Sequence, residues 1–184
     1  MTQIQTYFIE HLEPKLWKWC KIEYSQIARD VGTKNLLISN CADKIKGVST
    51  KKESVRNMKF SKPCILDPSA AKTLTPRDAQ DFDTFIFGGI LGDNPPRERT
   101  AIELDISGER RNSGKEQMST DTAVRVVWQI VHGTRLEELQ FVDGITIPLK
   151  KGEQILLPYR YLLCNGKPIL ARGLKEFLKK NKGF

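Results

Sequence analysis

The residues best suited to chemistry in this chain are small and loop-forming. Gly88-Gly89-Ile90-Leu91-Gly92-Asp93-Asn94-Pro95-Pro96 follows the apolar run Phe85-Ile86-Phe87. Its glycines let backbone N–H and C=O groups come close to a ligand. The spacing G-G-x-x-G is neither a dinucleotide fingerprint nor a phosphate loop, and taken alone it reads equally well as a turn after a buried strand. Asn94 and Pro95 suit the cap and first position of a helix through Arg97 and Arg99. Two further loops, Asp67-Pro68-Ser69 and Asn112-Ser113-Gly114-Lys115-Glu116-Gln117-Met118, can also follow strands. Ligands of open α/β sheets bind outside the carboxyl ends of the strands, so the three loops are expected to meet in one crevice.

The elements that must hold these loops are legible as apolar periods. Tyr7-Phe8-Ile9, Leu36-Leu37-Ile38, Cys64-Ile65-Leu66 and Phe85-Ile86-Phe87 are continuous runs, the pattern of strands covered on both faces in a parallel sheet. A helical period runs through Leu16, Cys20, Tyr24, Ile27 and Val31, predicting a helix over 15–31 with Gly32 at its end. Thr75-Pro76 is a second helix start. Ser119-Thr120-Asp121 opens a third helix, with a hydroxyl cap and an acid at the positive end. Val124, Val126, Val127, Trp128, Ile130 and Val131 make that helix apolar nearly all round, and Gly133 stops it. Then come β-like runs at Ile145-Thr146-Ile147 and Ile155-Leu156-Leu157, a turn at Asn165-Gly166 and a short helix from Leu174 to Lys180. Strands alternating with helices make the class α/β, with a mostly parallel sheet and helices on both faces.

Composition sets the outer bounds. The chain has 184 residues, 39% hydrophobic and 28% charged, the profile of one globular domain spanning 1–184. No apolar run approaches the ~18 residues of a membrane span, and the N-terminus lacks a signal-peptide pattern, so a cytoplasmic protein without a membrane partner is expected. Cys20, Cys41, Cys64 and Cys164 show no metal-ligand spacing, and the thiols are expected to be reduced, with no bound metal. Net charge is +8. Seven basic residues between Lys44 and Lys62 stand against the single acid Glu53. Such a cluster attracts polyanions, or is simply a solvated face. The polar stretch 40–62 is expected to be a mobile insertion.

Longer motifs carry a family resemblance. Phe85 to Thr100 and Lys115 to Arg125 resemble the signatures of a small branch of the SPOUT class of S-adenosylmethionine-dependent methyltransferases. That branch was catalogued as predicted RNA methyltransferases and includes a fungal ribosomal-protein arginine methyltransferase. Ile9-Glu10-His11, Glu23-Tyr24-Ser25, Leu66-Asp67-Pro68 and Pro158-Tyr159-Arg160-Tyr161 extend the likeness in family order from Ile9 to Pro168. The resemblance implies a C-terminal trefoil knot, which no periodicity could show. It also implies a cofactor, S-adenosylmethionine, held by Leu66, Asp67, Pro68, Phe87, Gly88, Gly89, Ile90, Gly92, Asp93, Asn94, Pro95, Gly114, Gln117, Met118 and Thr120.

The acceptor stays open between two chemistries. An arginine, charged with a pKa above ~12, calls for an orienting carboxylate. Glu10, just past a strand, and Asp93, on the glycine loop, are the first candidates; Glu23 and Glu13 follow, although an acid on a helix is ordinarily exposed. A tRNA or rRNA acceptor would use Arg97, Arg99, Arg110, Arg111 and the 44–62 lysines on phosphates, with Trp17 able to stack on bases and Trp19 packed inside. His11 suits a general base or a structural imidazole. The primary expectation is arginine methylation of a ribosomal or other basic protein. RNA methylation comes second, and a non-catalytic RNA-binding module third. Monomer and homodimer both remain open.

Overall fold

The computed structural model describes residues 5–90, 106–149 and 152–181. Strands β1 (Thr6–His11), β2 (Leu36–Ser39), β3 (Ser49–Thr50), β4 (Pro63–Leu66), β5 (Thr84–Gly89) and β6 (Glu109–Arg111) form one sheet in the order β3-β2-β1-β5-β4-β6. Every pairing in it is parallel. The continuous apolar runs therefore do what two-sided burial requires. Tyr7, Ile9, Leu36, Ile38, Cys64, Leu66, Phe85 and Phe87 belong to the cluster under the long helices. Ile65 and Ile86, with half-buried Phe8, point to the opposite face and pack against Val55, Phe60 and Ile106. The trefoil knot depends on the path of residues 91–105 and lies outside the described residues.

Helix α1 (Lys18–Val31) starts three residues later than the periodicity predicts. Trp17 is extended, the Lys15 ammonium sits 3.7 Å from its ring centroid, and Leu16 packs on the core from outside the helix. At the other end Gly32 takes φ 88°, and the Asn35 side chain donates to the Val31 carbonyl at 2.8 Å. Helix α2 (Thr120–Val131) buries Val124, Val126, Val127 and Ile130 completely, while Trp128 and Val131 are only half-buried. Its one buried cation, Arg125, reaches Asp30 of α1 at 2.5 Å and joins the two helices. Ser119 holds the cap position, but its hydroxyl turns to Asp121 Oδ1 (2.8 Å) instead of the backbone. The helix expected at Thr75-Pro76 is a single 3-10 turn, Asp78–Asp81, whose Asp78 carboxylate accepts from the Thr75 N–H.

The last third forms a second, antiparallel sheet that the apolar pattern does not separate from the first. It comprises β7 (Phe141–Pro148), β8 (Gln154–Cys164) and β9 (Lys167–Pro168). Asn165 and Gly166, at φ 51° and 72°, make the tight β8–β9 turn. This sheet and α3 (Leu174–Asn181) enclose their own core of Ile147, Leu157, Tyr159, Tyr161, Leu174 and Leu178, into which Trp19 of α1 inserts.

The stretch 40–62, expected to be a mobile insertion, is a folded part of the sheet edge. Asn40 N–H donates to the Glu53 carbonyl, Cys41 N–H to Lys51, and Lys51 N–H to Ile38. Val55 is buried, and its N–H donates to the Glu10 carboxylate at 3.1 Å. Charge is a poor guide here: the lysines Lys44, Lys46, Lys51, Lys52, Lys59 and Lys62 are indeed exposed, while the backbone between them is paired. In hydrogen exchange, the Cys41, Lys51 and Val55 amides should be protected well above random-coil rates; exchange at coil rates would show the segment open.

Candidate active site

Parallel strands put their carboxyl ends on one edge, and the chemistry-bearing loops leave from it. The loop after β4 is a tight turn around Asp67. Its Oδ1 accepts from Ser69 N–H (2.9 Å) and Ser69 hydroxyl (2.7 Å), and its Oδ2 pairs with Arg110 at 3.1 Å. The Asp67 N–H donates to the Arg111 carbonyl, which ties this turn to β6. Asn112 does the same one step further on. Its amide donates to the Ala70 carbonyl at 2.8 Å, and its Oδ1 accepts from Thr73 hydroxyl and Gly114 N–H. Arg110 and Arg111, candidates for phosphate contacts, are paired instead with Asp67 and with Asp78 and Glu109.

The loop of residues 112–118 is fastened from outside by the second sheet. Arg160 N–H donates to the Gln117 carbonyl at 2.8 Å, and its guanidinium grips Asp143 through two bonds and Glu116 through a third at 2.7 Å. Gly114 holds φ 115°, and Met118 is close enough that a Cβ at 114 would lie 3.2 Å from its methyl. The Thr120 hydroxyl, at the start of α2, reaches the Ile90 carbonyl at the end of β5 (3.5 Å). Leu66, Asp67, Gly88, Gly89, Ile90, Gly114, Gln117, Met118 and Thr120 thus lie on loops and strand ends that share one edge. Gly92, Asp93, Asn94, Pro95, Arg97 and Arg99 lie outside the described residues.

Gly89 is required by packing as well as by access. A Cβ there would meet the Tyr24 hydroxyl at 2.5 Å, Ile9 Cγ2 at 2.8 Å and the Glu10 carbonyl at 3.0 Å. Tyr24 in turn bonds His11 Nδ1 at 2.9 Å. Burial lowers the His11 pKa below its ordinary value, so the imidazole stays neutral at pH 7. This favours its reading as a structural group under the loop.

The three candidate acids among the described residues part company. Glu10 is buried and held by three donors: Ser54 hydroxyl on Oε1 at 2.5 Å, and Ser39 hydroxyl (2.5 Å) and Val55 N–H (3.1 Å) on Oε2. Glu13 is half-buried in the loop that follows. Glu23, an acid on a helix and so expected to be exposed, is buried and accepts from the Trp19 indole at 2.7 Å. Desolvation, then the nearby Asp121, push its pKa up to about 8, against bonds from Trp19 and Thr120 that lower it. Its spacing from Cys20 (i+3) and Ile27 (i−4) puts Glu23 on the apolar face of α1, and that spacing is the signal that could have marked it as buried. Trp17 is exposed and Trp19 buried, as their spacing predicts.

Beside this edge, at the ends of β1 and β2, opens a cavity of about 590 Å3. Glu10, Leu12, Glu13 and Pro14 form one wall, and Asn40, Ser54, Arg56 and Asn57 the other.

The family model for SFM1-like protein arginine N-methyltransferases matches residues 6–183. The chain belongs to this family. It is 36% identical to the protein arginine N-methyltransferase SFM1 of Saccharomyces cerevisiae over 95% of this chain and 94% of that one. The crystal structure of yeast SFM1 complexed with SAM superposes with a TM-score of 0.87 at 35% identity, covering 97% of this chain and 91% of that one. The complex with SAH gives 0.85 at 35% identity, covering 95% and 94%. The dual-specific Trm10 of Thermococcus kodakaraensis shares the fold alone, with a TM-score of 0.52 at 18% identity over 72% of this chain and 96% of that one. The SPOUT-type α/β fold of the SFM1-like family is therefore the fold of this chain.

Glu23 sets a pH dependence of stability. Its folded pKa, about 8, stands above its ordinary 4.5, so its contribution is fully present below pH 4.5 and is lost as pH rises through 8. Denaturant unfolding should show stability falling between about pH 5 and pH 9. Glu23→Gln, which keeps an acceptor for Trp19, should flatten that slope. An unchanged slope in the variant would show that Glu23 does not carry it.

Proposed function

We propose that this protein transfers a methyl group from S-adenosylmethionine to an arginine side chain of a basic protein in the cytoplasm, a ribosomal protein first among the candidates. The observation that carries the reading is the likeness to yeast SFM1, a protein arginine N-methyltransferase, over 95% of this chain. The residues present fit the cofactor. Gly114, at φ 115°, favours a residue without a Cβ, and the loops around it offer backbone groups and the thioether of Met118, while the charges of Asp67 and Glu116 are taken up by Arg110 and Arg160. Leu66, Asp67 and Pro68, Phe87 to Ile90, Gly114, Gln117, Met118 and Thr120 would hold it, with Gly92 to Pro95 completing the set. S-adenosylmethionine supplies an electrophilic methyl group. The chain's own part is positioning: a guanidinium is charged at every physiological pH, and holding it in line is worth several orders of magnitude in rate. Asp67 and Asn112 shape the turns through bonds already made. Free, buried Cys20, Cys41 and Cys64 suit a reducing compartment.

RNA methylation is the second reading, favoured by the exposed lysines from Lys44 to Lys62. Incubation with labelled S-adenosylmethionine and cell extract separates the two. Label surviving RNase and recovered as methylarginine after hydrolysis supports the protein reading; label released by RNase overturns it. Independently, Arg160→Ala should weaken S-adenosylmethionine binding about tenfold by freeing residues 116–118, a change of ~1.4 kcal/mol read by calorimetry. Wild-type affinity in that variant would show that the second sheet does not organise the loop.

A further inference from the structure

The first turn of α2 rests on a buried acid of α1 instead of a cap of its own. Ser119 gives its hydroxyl to Asp121 and makes no side-chain cap bond. The group that meets the turn is Glu23, 3% exposed, with the Thr120 N–H and hydroxyl both set against its carboxyl. Oε1 of the same carboxyl accepts from the Trp19 indole at 2.7 Å, which fixes its direction. On its other side the Thr120 hydroxyl reaches the Ile90 carbonyl at 3.5 Å, where β5 gives way to the glycine loop. Trp19, Glu23, Thr120 and Ile90 thus form one chain of polar groups, from the core of the second sheet to the cofactor loops.

A hydroxyl carries one proton, so the direction of this chain depends on the state of Glu23. An ionised carboxylate only accepts, and it draws the Thr120 proton away from Ile90. A neutral carboxyl has a proton to give. It can donate to Thr120 Oγ1, and the Thr120 proton is then free for the Ile90 carbonyl. The surroundings favour the neutral form. Glu23 faces Asp121 of α2, Tyr161 of β8, and Cys20 and Tyr24 of its own helix. Arg125, the cation of this junction, is bonded to Asp30 and lies 3.8 Å from Asp121, and Glu23 forms no ion pair. Burial, then the second carboxylate, push the Glu23 pKa up to about 8, so its proton is largely in place at pH 7.

We infer that Glu23 is a positioning residue for S-adenosylmethionine: in its neutral form it turns the Thr120 hydroxyl onto the Ile90 carbonyl and so holds the end of β5 against the start of α2. This rests on the reading of these loops as the cofactor site, and it is indifferent to whether arginine or RNA accepts the methyl group. The test is calorimetric titration of S-adenosylmethionine into the full chain between about pH 6.5 and pH 9, wild type against Glu23→Gln. The Gln amide accepts from Trp19 and donates to Thr120 at every pH, as the neutral carboxyl does.

The two affinities should agree within about twofold near pH 6.5, and Glu23→Gln should bind about fivefold more tightly than wild type by pH 9. Comparing the two at each pH cancels the titration of the cofactor's own amino group. Thr120→Val, which removes the hydroxyl, should weaken binding about fivefold near pH 6.5, and adding Glu23→Gln to it should change the affinity at neither pH. Thr120→Ser should keep both the affinity and the pH response of the wild type. The Trp19 indole proton, followed by NMR, should shift with a midpoint near pH 8. A carboxyl that served stability alone would change the unfolding midpoint and leave the affinity ratios flat. Equal affinities of wild type and Glu23→Gln at pH 9, an indole proton that does not titrate, or full binding by Thr120→Val would overturn the assignment. Should Glu23→Gln not fold, the Thr120 variants and the Trp19 titration decide alone. The two readings fail separately. Folded wild type that binds no S-adenosylmethionine at any pH sinks the cofactor-site reading; binding with flat ratios sinks the role of Glu23 alone.

Discussion

The close approach of α1 to the β1–β5 ladder governs where every functional group in this molecule can stand. Tyr24 presses its hydroxyl against the backbone of Gly89, so tightly that no Cβ fits between them. The same hydroxyl holds His11, which lies opposite Gly89 in the ladder. One contact thus fixes the height of α1 above the sheet, the end of the strand that launches the glycine loop, and the orientation of the imidazole beside it. Interiors pack too densely to absorb an extra methyl group at such a point, and overpacking of this kind costs about 1–3 kcal/mol. A glycine that looks like loop chemistry in the sequence is equally a packing requirement.

Strand parity then divides the end of β1 into two environments. His11 faces the helices, where burial keeps it neutral. Glu10, one residue earlier, faces the other way and is met by Ser39, Ser54 and Val55. Two adjacent polar residues at a strand end cannot serve the same site directly, because successive side chains of a strand point to opposite faces. The acid is the one that lines open space, and the imidazole braces the loop from beneath. On the helix side, Glu23 and Asp121 share a buried patch with Tyr161 near enough for both carboxylates to raise the phenol's pKa further. Their raised pKa values belong to the junction between α1, α2 and the second sheet.

Much of this is legible in the sequence for a definite reason. Strands buried on both faces leave continuous apolar runs, and Phe85-Ile86-Phe87 or Cys64-Ile65-Leu66 can be placed from that alone. The α1 period from Cys20 onward, the Gly32 stop and the Asn165-Gly166 turn are local signals that the fold keeps. What escapes are contacts between residues distant in the chain. Ser54 meets Glu10 across 44 positions, Arg160 meets Glu116 across 44, and Arg125 meets Asp30 across 95. No local pattern marks a serine in a lysine-rich stretch as the partner of a buried acid, so 40–62 reads as a charged loop. The second sheet is hidden for a related reason: its strands are half-buried, and their role as a brace for residues 116–118 exists only once Arg160 is brought to Gln117.

On the proposed reading, a protein of net charge +8 that acts on a basic partner must reconcile long-range repulsion with local attraction. The two operate over different distances. At physiological ionic strength the Debye length is about 8 Å, so exposed lysines beyond that range are largely screened from a cationic side chain at the strand-end edge. What such a side chain senses is the charge nearest to it, and among the described residues of the cavity beside this edge that charge is carried by Glu10, Glu13 and Arg56, in surroundings less polar than water where each charge acts more strongly. The distributed positive charge bears instead on encounter: it slows approach of a bare basic protein and favours one whose charge is already neutralised by polyanion. Local acid and global base therefore answer separate questions, the first about which side chain is accepted and the second about the company in which it arrives.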